Sequence, residues 1–285
     1  MERKEPPGLL GLDLVREPAA LSGLSLAVVG LPLNDEADFA GAVRAASLAY
    51  ADWVPGPGGA FRAADYGDVE VVADDMAVTF MQAHDRLADI VAAGAMPLVV
   101  GGDALVSLPV LQVLYGKLRG RLGVVAFTPY YEVAPEAVYC VSSRWTRALE
   151  LGVVSPADLV LIGGRDAPPD GPARRTLDRL GAVTFSLRDV LRDGVETVAQ
   201  EALEVAASGT EAVYVSIDLG VVTGLGDPVG LEARELVAGV DVVTGALLAA
   251  ADICCTGPVM ESGDSARTAA RVAAELVAGV AARLD

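Results

Sequence analysis

Short apolar runs alternate with amphipathic stretches along nearly the whole chain, and this alternation restricts the fold more than any other property of the sequence. The runs at 24–30, 96–103, 122–127, 159–163, 182–185, 212–218 and 251–255 read as strands, with a short edge segment over 65–69. Several are apolar at consecutive positions rather than alternate ones, the pattern of strands buried on both faces. Helical periodicity falls between them, over 74–93, 107–115, 143–152, 172–180, 187–207, 241–250 and 265–284. Repeated strand–helix alternation implies a mainly parallel sheet covered on both sides, an α/β fold of the three-layer α/β/α sandwich type. No shift in composition and no internal repeat divides the chain, so residues 1–285 are expected to form a single domain.

Composition narrows the partners. Hydrophobic residues make up 53% of the chain, enough for a large core, yet no run approaches the roughly 18 apolar residues of a membrane span. The first residues, Met1 to Pro7, lack the apolar centre of a signal peptide, so a cytoplasmic protein away from membranes is expected. The formal charge is −18, and lysine occurs only at Lys4 and Lys117. Such a surface repels phosphate backbones, which argues against nucleic acid as a partner. The single histidine, His84, lies in a helical stretch away from the strand ends and reads as a surface residue. One histidine rules out a multi-histidine metal centre. Cys140, Cys254 and Cys255 have no disulfide or zinc spacing, and the adjacent pair reads as core.

Ligands of parallel α/β proteins bind beyond the carboxyl ends of the strands. Here those ends are Val99-Val100-Gly101-Gly102-Asp103, Phe127-Thr128-Pro129-Tyr130-Tyr131-Glu132 and Ser216-Ile217-Asp218-Leu219-Gly220. Their order resembles the ureohydrolase family of arginases, agmatinases, guanidinobutyrases and formimidoylglutamases. Gly30-Leu31-Pro32, Asp65-Tyr66-Gly67-Asp68-Val69, Ile162-Gly163-Gly164-Arg165 and Gly230-Leu231-Glu232-Ala233-Arg234-Glu235 are similar to its framework motifs.

The resemblance implies two manganese ions. They would be held by a histidine after Gly-Gly-Asp, by Asp-Ala-His-x-Asp and by Ser-x-Asp-x-Asp. Two ions bridging one water lower its pKa towards neutral and so produce a hydroxide nucleophile. At the matching positions this chain carries Ala104, then Thr128, Tyr130 and Glu132, then Asp218 and Gly220. The family's loop histidine falls near Cys140 or Val141, and its substrate-binding glutamate aligns with Cys255. Of six ligand positions, Asp218 alone is unchanged and Glu132 is a conservative replacement.

The expectation is therefore a divergent family member with no metal cofactor and no dinuclear manganese site, not acting as a guanidine hydrolase. It would be a non-catalytic subunit or regulator of an active paralogue, in a homo-oligomer or mixed oligomer. The alternative is a metal-independent isomerase, lyase or cyclase with a repurposed pocket for a small molecule. In that reading Glu132, Asp218 and Tyr130 are the candidate catalytic groups, and Asp103, Tyr131 and Cys255 the candidate substrate contacts. Tyr130 and Tyr131 either fill the space left by two ions or line a pocket there, with Tyr139 close in sequence.

Overall fold

The structure is a computed structural model that describes residues 7–34, 38–56, 59–72, 75–134, 140–165, 171–225, 227–255 and 263–284. Its centre is an eight-stranded sheet. The strands are β1 (Leu26–Leu31), β2 (Ala63–Asp68), β3 (Met96–Gly101), β4 (Leu122–Phe127), β5 (Val154–Gly164), β6 (Val183–Ser186), β7 (Ala212–Asp218) and β8 (Leu248–Cys254). They lie in the order β2-β1-β3-β8-β7-β4-β5-β6, and every neighbouring pair is parallel. Strands β1, β3, β4 and β7 are buried at every position, as their continuous apolar runs require.

Helices cover both faces: α1 (Phe39–Ser47), α2 (Met76–Ala92), α3 (Ser107–Lys117), α4 (Arg144–Glu150), α5 (Pro172–Leu180), α6 (Leu187–Asp193), α7 (Val195–Ala207), α8 (Ala233–Val243) and α9 (Gly263–Ala282). Successive strand residues point to opposite faces. Val28, Val125 and Val215 thus join the core beneath α1, α6, α7, α8 and α9. Val29, Val124 and Tyr214 join the core beneath α2, α3, α4 and α5. This is the three-layer sandwich expected from the alternation.

Three features depart from the sequence reading. The helix expected over 187–207 is two helices, because Gly194 adopts φ 86° and ends α6 after Asp193. The helix expected over 241–250 runs instead from Ala233 to Val243, where Glu235 accepts the Glu232 backbone N–H at 2.8 Å. Leu248, Ala249 and Ala250 belong to β8, since a place between β3 and β7 outweighs the helical preference of alanine. Helix α1 had no counterpart in the reading.

The connectivity positions the site. Strands β1 to β3 occupy one end of the sheet and β4 to β6 the other, while β7 and β8 return to fill the gap. The carboxyl ends of β3, β8, β7 and β4 therefore lie side by side where the strand order reverses. The adjoining face of β4 is tightly closed by α7: a Cβ added at Gly123 would stand 1.9 Å from the Ala206 carbonyl oxygen. Gly123→Ala is expected to cost about 1–3 kcal/mol of stability through this overlap. A fall in the midpoint of urea denaturation, with unchanged slope, checks it.

Candidate active site

Beyond β4 the chain turns sharply. The Thr128 hydroxyl donates to the Tyr130 carbonyl at 2.9 Å and accepts the Tyr130 N–H at 3.4 Å, a turn closed by a side chain. Thr128 N–H donates to the Ile162 carbonyl at 2.9 Å, and Arg165 N–H donates to the Pro129 carbonyl at 3.0 Å. These bonds tie the turn to the end of β5. Glu132 then takes φ 47°, in the left-handed region that non-glycine residues seldom occupy.

The Glu132 carboxylate meets the guanidinium of Arg144, whose Nη2 lies 2.5 Å from Oε2. Both side chains are almost wholly buried, with exposures of 0% for Arg144 and 2% for Glu132. Nη1 of Arg144 donates to Ser107 and Ser216 hydroxyls at 3.2 Å each and towards the Ala104 carbonyl at 3.4 Å. One guanidinium thus touches residues that follow β3 and β4 and a residue within β7. Burial opposes its charge, but the carboxylates of Glu132, Asp252 and Asp218 outweigh that and hold its pKa above the ordinary arginine value.

Asp252 of β8 completes the cluster. It accepts from Ser107 and Ser216 at 3.1 Å each and from the Tyr214 hydroxyl. Burial raises its pKa to about 7, against the lowering effect of Arg144 and of bonds from Ser107, Cys254 and the Ile217 backbone. Burial and the nearby carboxylates also push the Cys254 thiol well up, so it stays protonated.

Of the residues singled out in the sequence, Glu132, Asp218 and Asp103 lie within electrostatic range of Arg144. Asp218 is buried and accepts the Gly220 N–H at 2.8 Å, which shapes the turn after β7. Asp103 caps the turn after β3, accepting from Leu105 N–H at 2.9 Å and from the Asn34 amide at 2.5 Å. Its pKa is raised by burial, which exceeds the lowering by these bonds. Cys255 is buried in the core, and its N–H donates to the Gly102 carbonyl at 2.8 Å. The two tyrosines diverge: Tyr130 is 49% exposed, whereas Tyr131 is 5% exposed and packs on Gly164. Tyr139 lies outside the described residues.

Two cavities flank this pair. Tyr130 and Glu132 line one of about 580 Å³, with Val133, Val141 and Pro172. Tyr131 lines another of about 660 Å³, with Gly164, Arg165 and Arg174. Arg144 and Asp252 were not among the residues expected from sequence. Asp252 is a lone carboxylate inside an apolar run, a signal that could have found it. Nothing in the spacing around Arg144 marks it.

Two manganese ions need a dense set of oxygen or nitrogen donors, about six for each ion. Among the described residues no group of three or more histidine, cysteine, aspartate or glutamate side chains is placed to hold a metal ion. The carboxylates at the strand ends surround the Arg144 guanidinium instead. This donor set does not fit a pair of manganese ions.

Two outcomes follow from the cluster. Removing the cation strands a buried carboxylate, so Arg144→Met should cost about 3–5 kcal/mol, and the double variant with Glu132→Gln should recover part of it. Urea denaturation of the two variants and the parent measures both. For Asp252, the folded pKa of about 7 lies above the unfolded value of 3.8. The folded protein then keeps a proton that the unfolded chain releases, so this group's contribution is full below pH 3.8 and falls as pH rises towards 7. Asp252→Asn should flatten the fall in thermal stability between about pH 4 and 7, read from melting temperatures across that range.

Comparison with known proteins places these features. The sequence profile of the arginase family matches residues 26–279. A guanidinopropionase of Pseudomonas aeruginosa is 30% identical over 219 residues, 71% of this chain and 66% of that protein. A formimidoylglutamase of Halalkalibacterium halodurans is 28% identical over 127 residues, 44% of this chain and 40% of that protein. The chain thus spans less than two thirds of the length of each. The crystal structure of a hypothetical agmatinase from Burkholderia thailandensis has the same fold, with a TM-score of 0.82 at 23% identity over 99% of this chain and 96% of that one.

These relatives correct the expectation of a non-catalytic subunit or of a metal-independent isomerase, lyase or cyclase. The proteins similar to this chain carry the names of working ureohydrolases, and nothing in the comparisons sets the chain apart from them. The substitutions at the ligand positions say which side chains are present there; they do not show that the cleft is inert. The chain belongs to the arginase family.

Proposed function

We propose that this chain is a ureohydrolase-type enzyme that hydrolyses a carbon–nitrogen bond of a guanidino or formimidoyl group on a small molecule. The observation that carries this reading is the match to the arginase family over residues 26–279. The similarity to a guanidinopropionase and a formimidoylglutamase supports the choice of chemical group. In such a reaction water adds its oxygen to the amidino carbon, the carbon–nitrogen bond breaks, and the amine leaves with the proton. The products are urea or formamide and an amine.

The residues of this chain shape a cavity for a small ligand. Glu132 and Tyr130 line a cavity of about 580 Å³ beside the strand ends, with an apolar wall from Val133, Val141 and Pro172. Tyr130 offers a phenol that can donate to, or accept from, a bound group. The Glu132 carboxylate is paired with Arg144 and buried, so its charge does not face that cavity. Residues 1–285 acting as one unit belongs to the same proposal.

The test is an assay of the purified protein, with and without added manganese. The substrates are 3-guanidinopropionate, 4-guanidinobutyrate, arginine, agmatine and N-formimidoylglutamate. Urea or formamide should appear in step with the free amine for at least one of them, and heat-denatured protein should give none. Folded protein that releases neither product from any of the five, in either metal condition, would sink the proposal.

A further inference from the structure

We infer that the carboxyl ends of β3, β4, β7 and β8 form a seat shaped for a guanidinium ion, and that the chain fills this seat with its own Arg144. The side chain is then a permanent internal cation at a place where the fold would otherwise have to take one from solution. This goes beyond the hydrolase reading and is independent of turnover.

The need for a cation follows from the strand ends. Glu132 after β4, Asp218 of β7 and Asp252 of β8 are all buried. Carboxylates gathered in so dry a space must be paired or stay protonated. Asp103, after β3, also feels the Arg144 charge. One guanidinium, itself 0% exposed, serves all four.

The groups around it match a flat fork of N–H donors. Nη2 meets Glu132 at 2.5 Å, while Nη1 meets the Ser107 and Ser216 hydroxyls at 3.2 Å each and the Ala104 carbonyl at 3.4 Å. Both serines donate their own protons to Asp252, at 3.1 Å each, and so turn lone pairs towards the guanidinium. The Trp145 ring lies 4.4 Å from Cζ and covers the cation with an aromatic face. A guanidinium is weakly hydrated and stacks well on such a ring. A hard divalent ion asks instead for about six oxygen donors converging at roughly 2.0–2.6 Å, and an indole face supplies none.

The walls of the seat are held by bonds in which the Arg144 side chain takes no part. Trp145 N–H donates to the Glu132 carbonyl at 3.1 Å and ties the start of α4 to the turn beyond β4. Asp252 holds both serines and accepts from the Tyr214 hydroxyl. Ala104 lies in the turn that Asp103 caps through the Leu105 N–H, at 2.9 Å. Cutting residue 144 back to alanine therefore leaves a void with the outline of N-ethylguanidine, because such sites relax only in part.

Melting midpoints of the parent, Arg144→Ala and Arg144→Lys test the seat. Each is measured with N-ethylguanidine, ethylammonium or manganese, all as chlorides at matched ionic strength. N-Ethylguanidine should raise the midpoint of Arg144→Ala saturably, by roughly 5 °C, and leave that of the parent unchanged. Ethylammonium and manganese should give Arg144→Ala less than half of that rise. Arg144→Lys should melt below the parent, since a lysine keeps the charge but loses the fork. Adding Glu132→Gln to Arg144→Ala should abolish most of the N-ethylguanidine effect. Should Arg144→Ala fail to fold alone, refolding from urea with each additive, read by circular dichroism, replaces the melt. Native signal with N-ethylguanidine only then supports the seat.

No response of Arg144→Ala to N-ethylguanidine, in melting or in refolding, overturns the inference. So does an equal response of the parent, or ethylammonium or manganese doing as well as N-ethylguanidine. Urea or formamide release by the parent bears on the hydrolase reading alone, so the two can fail separately.

Discussion

The buried guanidinium of Arg144 is the interaction around which the carboxyl ends of the central strands are organised. It reaches the Glu132 carboxylate after β4, Ser107 at the start of α3 and Ser216 of β7. Asp252 of β8 joins through the same two serines. A charge this deep is tolerated only because opposite charge and hydrogen bonds surround it. The same requirement explains why Glu132 accepts a left-handed backbone: that conformation accompanies the turn that brings its carboxylate to the cation.

A second buried pair does similar work at the sheet edge. Arg44 of α1 contacts Asp65 at 2.8 Å and Asp68 at 2.7 Å. Asp65 also accepts the Leu9 N–H at 2.8 Å and the Gly67 N–H at 2.9 Å. The Asp65-Tyr66-Gly67-Asp68-Val69 motif is thus a fastening for β2, and its aspartates are spent on structure. Arginine serves at both places because it stays charged and can bond in several directions at once.

Arg165, at the end of β5, has a looser setting. Arg144 is enclosed by Glu132, Ser107 and Ser216, whereas the Asp227 carboxylate stands 3.7 Å from Nε of Arg165. Both lie within a few residues or contacts of the turn Thr128 to Glu132, so one segment joins the structural cluster to the candidate ligand cavities.

The sequence by itself determined the layer architecture, because apolar runs such as Leu122–Phe127 and Ala212–Asp218 can be buried only as inner parallel strands. It also showed which residues stand at the ligand positions of the arginase family, from Ala104 to Gly220. It did not determine function: the missing ligands suggested an inactive subunit, and the named relatives corrected that. Tertiary structure alone decided what occupies the strand ends. Arg144 sits twelve residues beyond Glu132 in a helix with no distinguishing pattern, and only the meeting of β3, β4, β7 and β8 brings it among their carboxylates. The tyrosines, adjacent in sequence, were separated by the fold into an exposed and a buried side chain. The reason is physical: strand periodicity is local, whereas the pairing of buried charges depends on which distant segments share one low-dielectric space.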